Sequence, residues 1–269
     1  MSEIGPYGLI LANDITDDAG RALKLSVDVA PYLDAMKIGI STAALERDFG
    51  LLGRVKDTTG RIVIADFKVA DVGVKNKQGA WEGTNEKIVR KAVNAGADYV
   101  ICHTISGTSS IQECVDVGHS MGARILTLPY MTHVGAELFF GHPIDAAYSI
   151  RVLEKLGIDA DIEECRTISD LILVLGETLN VDGYIGPANN PAVLSRYREF
   201  SQKPIYGPGI GRQARDGSTP EQQLQAFYEI CGSNSAPIIG SAIYGADDPA
   251  KAAEEFMIYR DNIAARMRG

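Results

Sequence analysis

Four charged residues pose the chemical question. Asp66-Phe67-Lys68-Val69-Ala70-Asp71 closes the apolar run Ile62-Val63-Ile64-Ala65, which is entered from Thr58-Thr59-Gly60. A run this rich in β-branched residues reads as a strand buried on both faces, as in a parallel sheet. Side chains alternate along a strand, so Asp66 and Lys68 project to one side, Phe67 to the other, and Asp71 lies just past the strand end. Lys37 repeats the anomaly as a single cation inside the apolar stretch Tyr32 to Gly39. Burying such charges costs several kcal/mol per ion before attraction offsets it, and an apolar swap is often as stable. The pair therefore either caps a strand or closes a barrel layer, or it serves chemistry. A lysine fixed between aspartates stays protonated and aimed, which suits it to stabilise developing negative charge and then deliver a proton.

Placing these groups requires a frame. The 269 residues, 45% hydrophobic and 23% charged, can bury one large core, and single-domain α/β barrels run to about 250 residues. We expect one domain over 1–269. Leu9-Ile10-Leu11-Ala12, within Gly8 to Asn13, is a first strand, followed by a polar turn at Asp14 to Asp18 and a helix over Arg21 to Ala30. Tyr32 to Gly39 is a second strand, with helix to about Val55, and the charged run is the third. Asp98 to His103, Arg124 to Pro129, Val181 to Gly186, Pro204 to Gly207 and Pro237 to Gly240 are five more. Helical patterns follow over Thr108 to Met121, Pro191 to Ser201, Pro220 to Cys231 and Pro249 to Arg268. Eight strand–helix units in this length imply a closed (β/α)8 TIM barrel rather than an open sheet. Two insertions interrupt it. Residues 73–83 are polar and carry the only Trp, Trp81; residues 146–180 hold two helices, over about Asp145 to Leu156 and Ile162 to Leu179.

Other classes fall away. No GxGxxG follows the first strand, so a dinucleotide crevice is unsupported. With 26 Lys and Arg against 35 Asp and Glu, the formal charge of −9 argues against a nucleic-acid surface. No apolar run approaches the roughly 18 residues of a membrane span, and Met1 to Gly5 lacks a leader pattern, so a soluble, cytoplasmic protein is expected. Cys102, Cys114, Cys165 and Cys231 have no metal-ligand spacing and read as buried or half-buried thiols. His103 and His133 read as core or supporting groups at strand ends rather than metal ligands, and His119 and His142 as surface residues.

A barrel gathers its strand C-terminal ends at one mouth. Here those ends supply Asp14, Lys37, Asp66, Lys68, Asp71, His103, Thr132 and Gln213. Gly207-Pro208-Gly209-Ile210-Gly211 and Gly240-Ser241-Ala242 follow the last two strands, where backbone N–H groups commonly cradle a phosphate.

In order along nearly the whole chain, Leu-Ala-Asn-Asp14, Met-Lys37-Ile-Gly, Ala-Asp66-Phe-Lys68-Val-Ala-Asp71, Thr84-Asn-Glu-Lys, Ala-Gly-Ala-Asp98, Met-Thr132-His-Val-Gly-Ala-Glu137, Tyr-Ile-Gly-Pro187, Gly-Pro-Gly-Ile-Gly211 and Gly240-Ser-Ala-Ile-Tyr244 form a series. It resembles the archaeal-type orotidine 5′-phosphate decarboxylases. The resemblance implies a homodimeric barrel that converts orotidine 5′-phosphate to uridine 5′-phosphate and carbon dioxide with no metal or organic cofactor. It further implies an alternating array of Lys37, Asp66, Lys68 and Asp71, the last reaching across from the partner subunit. Lys68 is then the proton donor. Asp14 takes a ribose hydroxyl, Thr84 joins the substrate contacts, and Thr132 and Gln213 read the pyrimidine amide edge. Pro208, Gly209, Gly240 and Ser241 belong to the phosphate loops. On local sequence alone Thr132 could equally be a turn hydroxyl capping a helix, and Gln213 an exposed loop amide.

Two features depart from the family pattern. Ser241 stands where an arginine usually grips the phosphate, and a hydroxyl does not replace a bidentate guanidinium. Arg212 and Arg215 are the candidates to supply that charge. The stretch 73–83, between Asp71 and Thr84, should lie at the dimer interface or over the neighbouring site, anchored by Trp81. The rivals are a Mg²⁺-dependent sugar-phosphate lyase of the same barrel group, of the hexulose-phosphate synthase or ketogulonate-phosphate decarboxylase type, which EDTA would inhibit, and a non-catalytic nucleotide-binding paralogue.

Overall fold

The computed structural model describes residues 3–133, 135–211 and 217–268. Its eight strands are β1 (Ile10–Asn13), β2 (Ala35–Gly39), β3 (Ile62–Val69), β4 (Tyr99–His103), β5 (Arg124–Leu128), β6 (Gly183–Ile185), β7 (Ile205–Ile210) and β8 (Ala236–Ile239). All pair in parallel with their sequence neighbours, and β8 closes on β1. Alternation along each strand builds two cores. Ile10, Ala35, Ile62, Ile64, Tyr99, Ile101, Leu126, Leu128, Tyr206 and Ile238 fill the barrel, while Leu9, Leu11, Met36, Ile38, Val63, Ala65, Val100 and Ile125 pack outward on the helices. No helix among the described residues is long and apolar enough to cross a membrane.

Several boundaries differ from expectation for local reasons. Tyr32 ends a 3₁₀ turn, Ala30–Tyr32, in which Pro31 occupies the first turn, so β2 starts only at Ala35. The first helix runs Ala19–Val29 because Asp18 caps it, accepting from the Arg21 amide. The helix expected through Val55 is broken into Ile40–Ala43, a 3₁₀ turn at Arg47–Phe49, and Gly50–Thr59. Asp48 and Phe49 adopt left-handed φ values of 57° and 60°, a turn that packs the Phe49 ring on Phe67 at 4.7 Å. The helix expected over Ile162 to Leu179 spans only Ile168–Thr178. Thr167 and Asp170 form a reciprocal capping box, and the amides of Arg166 and Thr167 both donate to Asp170, which stops the helix from extending backward. The preceding Ile162 and Cys165 pack as loop residues beneath Leu153 and Leu175.

Residues 73–83 fold back on themselves through an antiparallel bridge between Lys75 and Trp81. Asn76 Oδ1 accepts from the amides of Gln78 and Ala80, an Asx-type turn. The Trp81 indole N–H donates to Asp116 at 2.8 Å, and the Lys75 ammonium lies 4.3 Å over its ring. Trp81 thus ties this excursion to the helix Thr108–Ser120 of its own chain.

Candidate active site

β2 and β3 deliver the charges to the barrel mouth. In their register Lys37 lies opposite Ile64 and Gly39 opposite Asp66, so Lys37 starts two residues deeper and its long side chain climbs to meet the aspartate. Lys37 Nζ donates to Asp66 Oδ2 at 2.8 Å and stands 3.9 Å from Asp14 Oδ1. Lys68 Nζ donates to Asp66 Oδ1 at 2.6 Å. One carboxylate therefore bridges two ammonium groups, one on each oxygen. Burial by itself pushes the Asp66 carboxyl up, but the charges and hydrogen bonds of Lys37 and then Lys68 outweigh it, holding it below the usual carboxylate range. Lys37 is buried, whereas the Lys68 side chain remains 41% exposed.

Lys68 reaches this position by an irregular backbone. Its φ is +46°, and the β3–β4 ladder shifts register between Ala65 and Val69. A bulge of this kind re-aims a side chain at the rim of a barrel. A left-handed conformation costs a non-glycine residue on the order of 1 kcal/mol, so the surrounding sheet must impose it.

Lys37, Asp66 and Lys68 line one cavity of about 270 Å³. Its base is apolar, formed by Ile101, Leu128, Ile185 and Ile238, and Tyr130, Met131, Thr132, His133, Gly186, Pro187 and Pro208 complete its wall. The ion cluster thus sits over hydrocarbon, where electrostatic interactions gain strength. The cavity can hold a small planar polar group with one face toward two ammonium groups and a carboxylate.

The other expected residues take different places. Thr132 is exposed on the cavity wall, and Asp14 is half exposed beside Lys37. Gly209 (φ +118°) is exposed in β7, packed against the Asn189 side chain. Gly240 precedes the short helix Ser241–Tyr244, in which Ser241 is exposed. Asp71 and Thr84 are exposed outside the cavity wall. Asp71 Oδ1 accepts from the Val72 amide at 2.7 Å, and among the described residues its carboxylate has no cationic partner within ion-pair distance. Arg212, Gln213 and Arg215 lie outside the described residues. All four cysteines are buried, and among the described residues no group of three or more His, Cys, Asp or Glu is arranged to hold a metal ion.

Two histidines differ from the reading of the sequence. His133, expected as a core or supporting group, is exposed on the cavity rim because the turn after β5 carries it outward. His119, expected on the surface, is half-buried, its Nε2 2.8 Å from Asp182 Oδ2. His103, at the end of β4, accepts the Ile105 N–H at Nδ1, and burial, then the nearby Lys68 charge, hold its pKa below the ordinary histidine value.

Sequence reading missed Asn85 and Glu113, both fully buried. Asn85 entered only as part of the series Thr84-Asn-Glu-Lys. Glu113 left one trace, an acid among Ile111, Cys114, Val115 and Val117, the buried stripe of its helix.

Comparison with known proteins bears on this arrangement. A relative from Methanosphaera stadtmanae called orotidine 5′-phosphate decarboxylase is 30% identical over 252 residues, covering 93% of this chain and 95% of its own. One of the same name from Methanocaldococcus jannaschii is 27% identical over 248 residues, covering 92% and 96%. Among solved structures, orotidine 5′-monophosphate decarboxylase from M. jannaschii complexed with the inhibitor BMP superposes with a TM-score of 0.72 at 27% identity, covering 94% of this chain and 98% of that one. The Pyrococcus horikoshii enzyme gives 0.70 at 25% identity, covering 94% and 99%. The family model that matches residues 8–256 encloses all eight strands and the three ion-paired side chains, and the chain belongs to the orotidine 5′-phosphate decarboxylase / HUMPS family.

Proposed function

We propose that this protein decarboxylates orotidine 5′-phosphate to uridine 5′-phosphate in de novo pyrimidine biosynthesis, without a cofactor. The observation that carries the reading is the bridging of Asp66 by Lys37 and Lys68 above an apolar base, together with membership of the family. The bond from ring carbon to carboxylate breaks, its electron pair stays on the carbon, and carbon dioxide leaves. A proton on Lys68 Nζ then moves to that carbon, and water recharges the amine. The ring offers no sink for the electron pair, so stabilisation falls to fixed positive charge close by. Asp66 holds Lys68 protonated and aimed until transfer. It also stands beside the substrate carboxylate, where like-charge crowding raises the ground state.

In this reading Lys37 orients Asp66 and, with Asp14, takes the ribose hydroxyls. Thr132 and Gln213 read the amide edge of the pyrimidine. Pro208, Gly209, Gly240 and Ser241 face the phosphate, and Arg212 or Arg215 supplies the charge that Ser241 lacks. The protein acts as a homodimer in which Asp71 completes the partner's site, and Thr84 joins the substrate contacts. Exposed Val72, Val74 and Ile105, at the same end of the barrel as Asp71, support such a contact, and residues 73–83 lie along it.

Turnover of orotidine 5′-phosphate, followed by ultraviolet absorbance with and without EDTA, tests the reading. Cofactor-free decarboxylation is expected in both arms. No turnover, or turnover abolished by EDTA, would exclude it. Light scattering tests the dimer.

A further inference from the structure

A carboxylate with no cationic partner among the described residues lies between the helices that follow β3 and β4. Glu113 is 0% exposed. Its Oε1 accepts from the backbone N–H groups of Gly83 at 3.1 Å and Glu86 at 3.2 Å, and its Oε2 from Asn85 Nδ2 at 3.1 Å. These amides open the helix Thr84–Asn94, where unpaired N–H groups and the helix dipole favour negative charge. A serine or aspartate at position 83 could cap that helix locally. Instead position 83 is glycine, and a Cβ there would stand 2.8 Å from Glu113 Oε1. A buried acid reaching in from another helix does more than a cap requires.

Asn85 is what it adds. The Asn85 Oδ1 accepts the Asp71 N–H at 2.9 Å, while Nδ2 donates to the Asp71 carbonyl at 2.9 Å. One carboxamide thus grips both backbone polar groups of Asp71, as a neighbouring strand would. Nδ2 is shared with Ser110 Oγ at 3.1 Å and with Glu113, which fixes the orientation of the amide. Close by, Gly73 packs so tightly on the Ser109 carbonyl that a Cβ would come within 2.3 Å. Both ends of the excursion after Asp71 are therefore pinned, and residues 74–82 can vary or move without displacing the aspartate.

We propose that Asn85 and Glu113 form a positioning unit for Asp71, holding its backbone at a fixed place on the barrel rim so that its carboxylate can complete a site. This rests on the reading above, in which Asp71 acts in the partner's cavity. Asn85→Ala should lower kcat for orotidine 5′-phosphate by about tenfold to a hundredfold, the scale of a misplaced group, with KM changed far less. Glu113→Gln sets an amide against donors with almost no change of shape and should produce the same loss.

Mixed dimers separate positioning from general damage. Asn85→Ala mixed with Asp66→Asn should regain activity, because one site of each heterodimer combines an intact Lys37–Asp66–Lys68 cluster with a correctly held Asp71. Asp71→Asn mixed with Asp66→Asn is the control. Recovery in the control alone would overturn the proposal. If the control also stays inactive, the crossing of Asp71 is what fails. The positioning unit then stands on the kcat of folded Asn85→Ala, and a value within about twofold of the parent overturns it.

Discussion

Asp98 and Asp66 solve the same electrostatic problem at opposite ends of the barrel. On the floor, Asp98 accepts the Val63 N–H at 3.0 Å and the Lys56 ammonium at 2.7 Å. Asp34 and Asp182 repeat the device, each standing before a strand and taking an amide at the start of the preceding one, Leu9 at 2.8 Å and Ile125 at 2.7 Å. Each also has a basic partner on an outer helix, Arg260 for Asp34 and His119 for Asp182. At the mouth, Asp66 takes two lysines and, among the described residues, no backbone amide. A carboxylate satisfied by the backbone fastens the sheet. One satisfied by side-chain ammonium groups alone presents charge that a ligand can engage.

The strongest test of this contrast is Lys68→Ala. On the proposed role of Lys68 as proton donor, the substitution should lower kcat/KM by about a thousandfold or more, with the thermal midpoint essentially unchanged, since Lys37 still pairs with Asp66. A variant that lost stability in proportion to activity would erase the distinction between the ends.

Asp66→Ala and Asp98→Ala sharpen it. The first should abolish turnover and also cost about 3 kcal/mol in urea denaturation, because it strands the buried Lys37 ammonium. The second should cost about 1–3 kcal/mol by orphaning the Val63 amide, with kcat per folded molecule unaltered.

Smaller is the strain effect. Lys68→Gly should be more stable than Lys68→Ala by about 1 kcal/mol, because only glycine adopts φ +46° without penalty. Equal denaturation midpoints would mean that the sheet imposes no strain there.

Smallest is the pH effect of His103. Its pKa is lowered in the fold, so the unfolded chain binds the proton more readily. Stability is therefore full above the ordinary value of about 6.5 and is lost as pH falls through the folded value. Replacing His103 by Gln should flatten the slope of stability against pH below about 6.5. Asp66 follows the same sign at more acidic pH, its contribution present above the ordinary carboxylate value and lost as pH falls through its lowered one.

How legible each feature was depends on where its cause lies. The run Ile62 to Val69 announced a buried strand, and spacing alone put Asp66 and Lys68 on one side, because alternation is a local property. The left-handed backbone of Lys68 had no local signal, since the bulge arises from pairing with β4. Ile162 and Cys165, spaced like helix residues, extended a helix that Thr167 in fact starts, although the cap pair Thr167 and Asp170 was there to be read. Asp98 was visible as part of a motif, yet its duty toward Val63 joins residues 35 positions apart. The Asn85 and Glu113 contact likewise joins two helices, and only the acid's place in an apolar stripe pointed to it.

The hydrocarbon base of the cavity has a consequence for redesign. Ile101, Leu128, Ile185 and Ile238 act as an insulator beneath the ion cluster. A single hydroxyl introduced there would admit water below the lysines and soften every charge contact above it together. Attempts to widen the pocket for larger ligands should therefore trade one aliphatic shape for another, keeping that layer apolar.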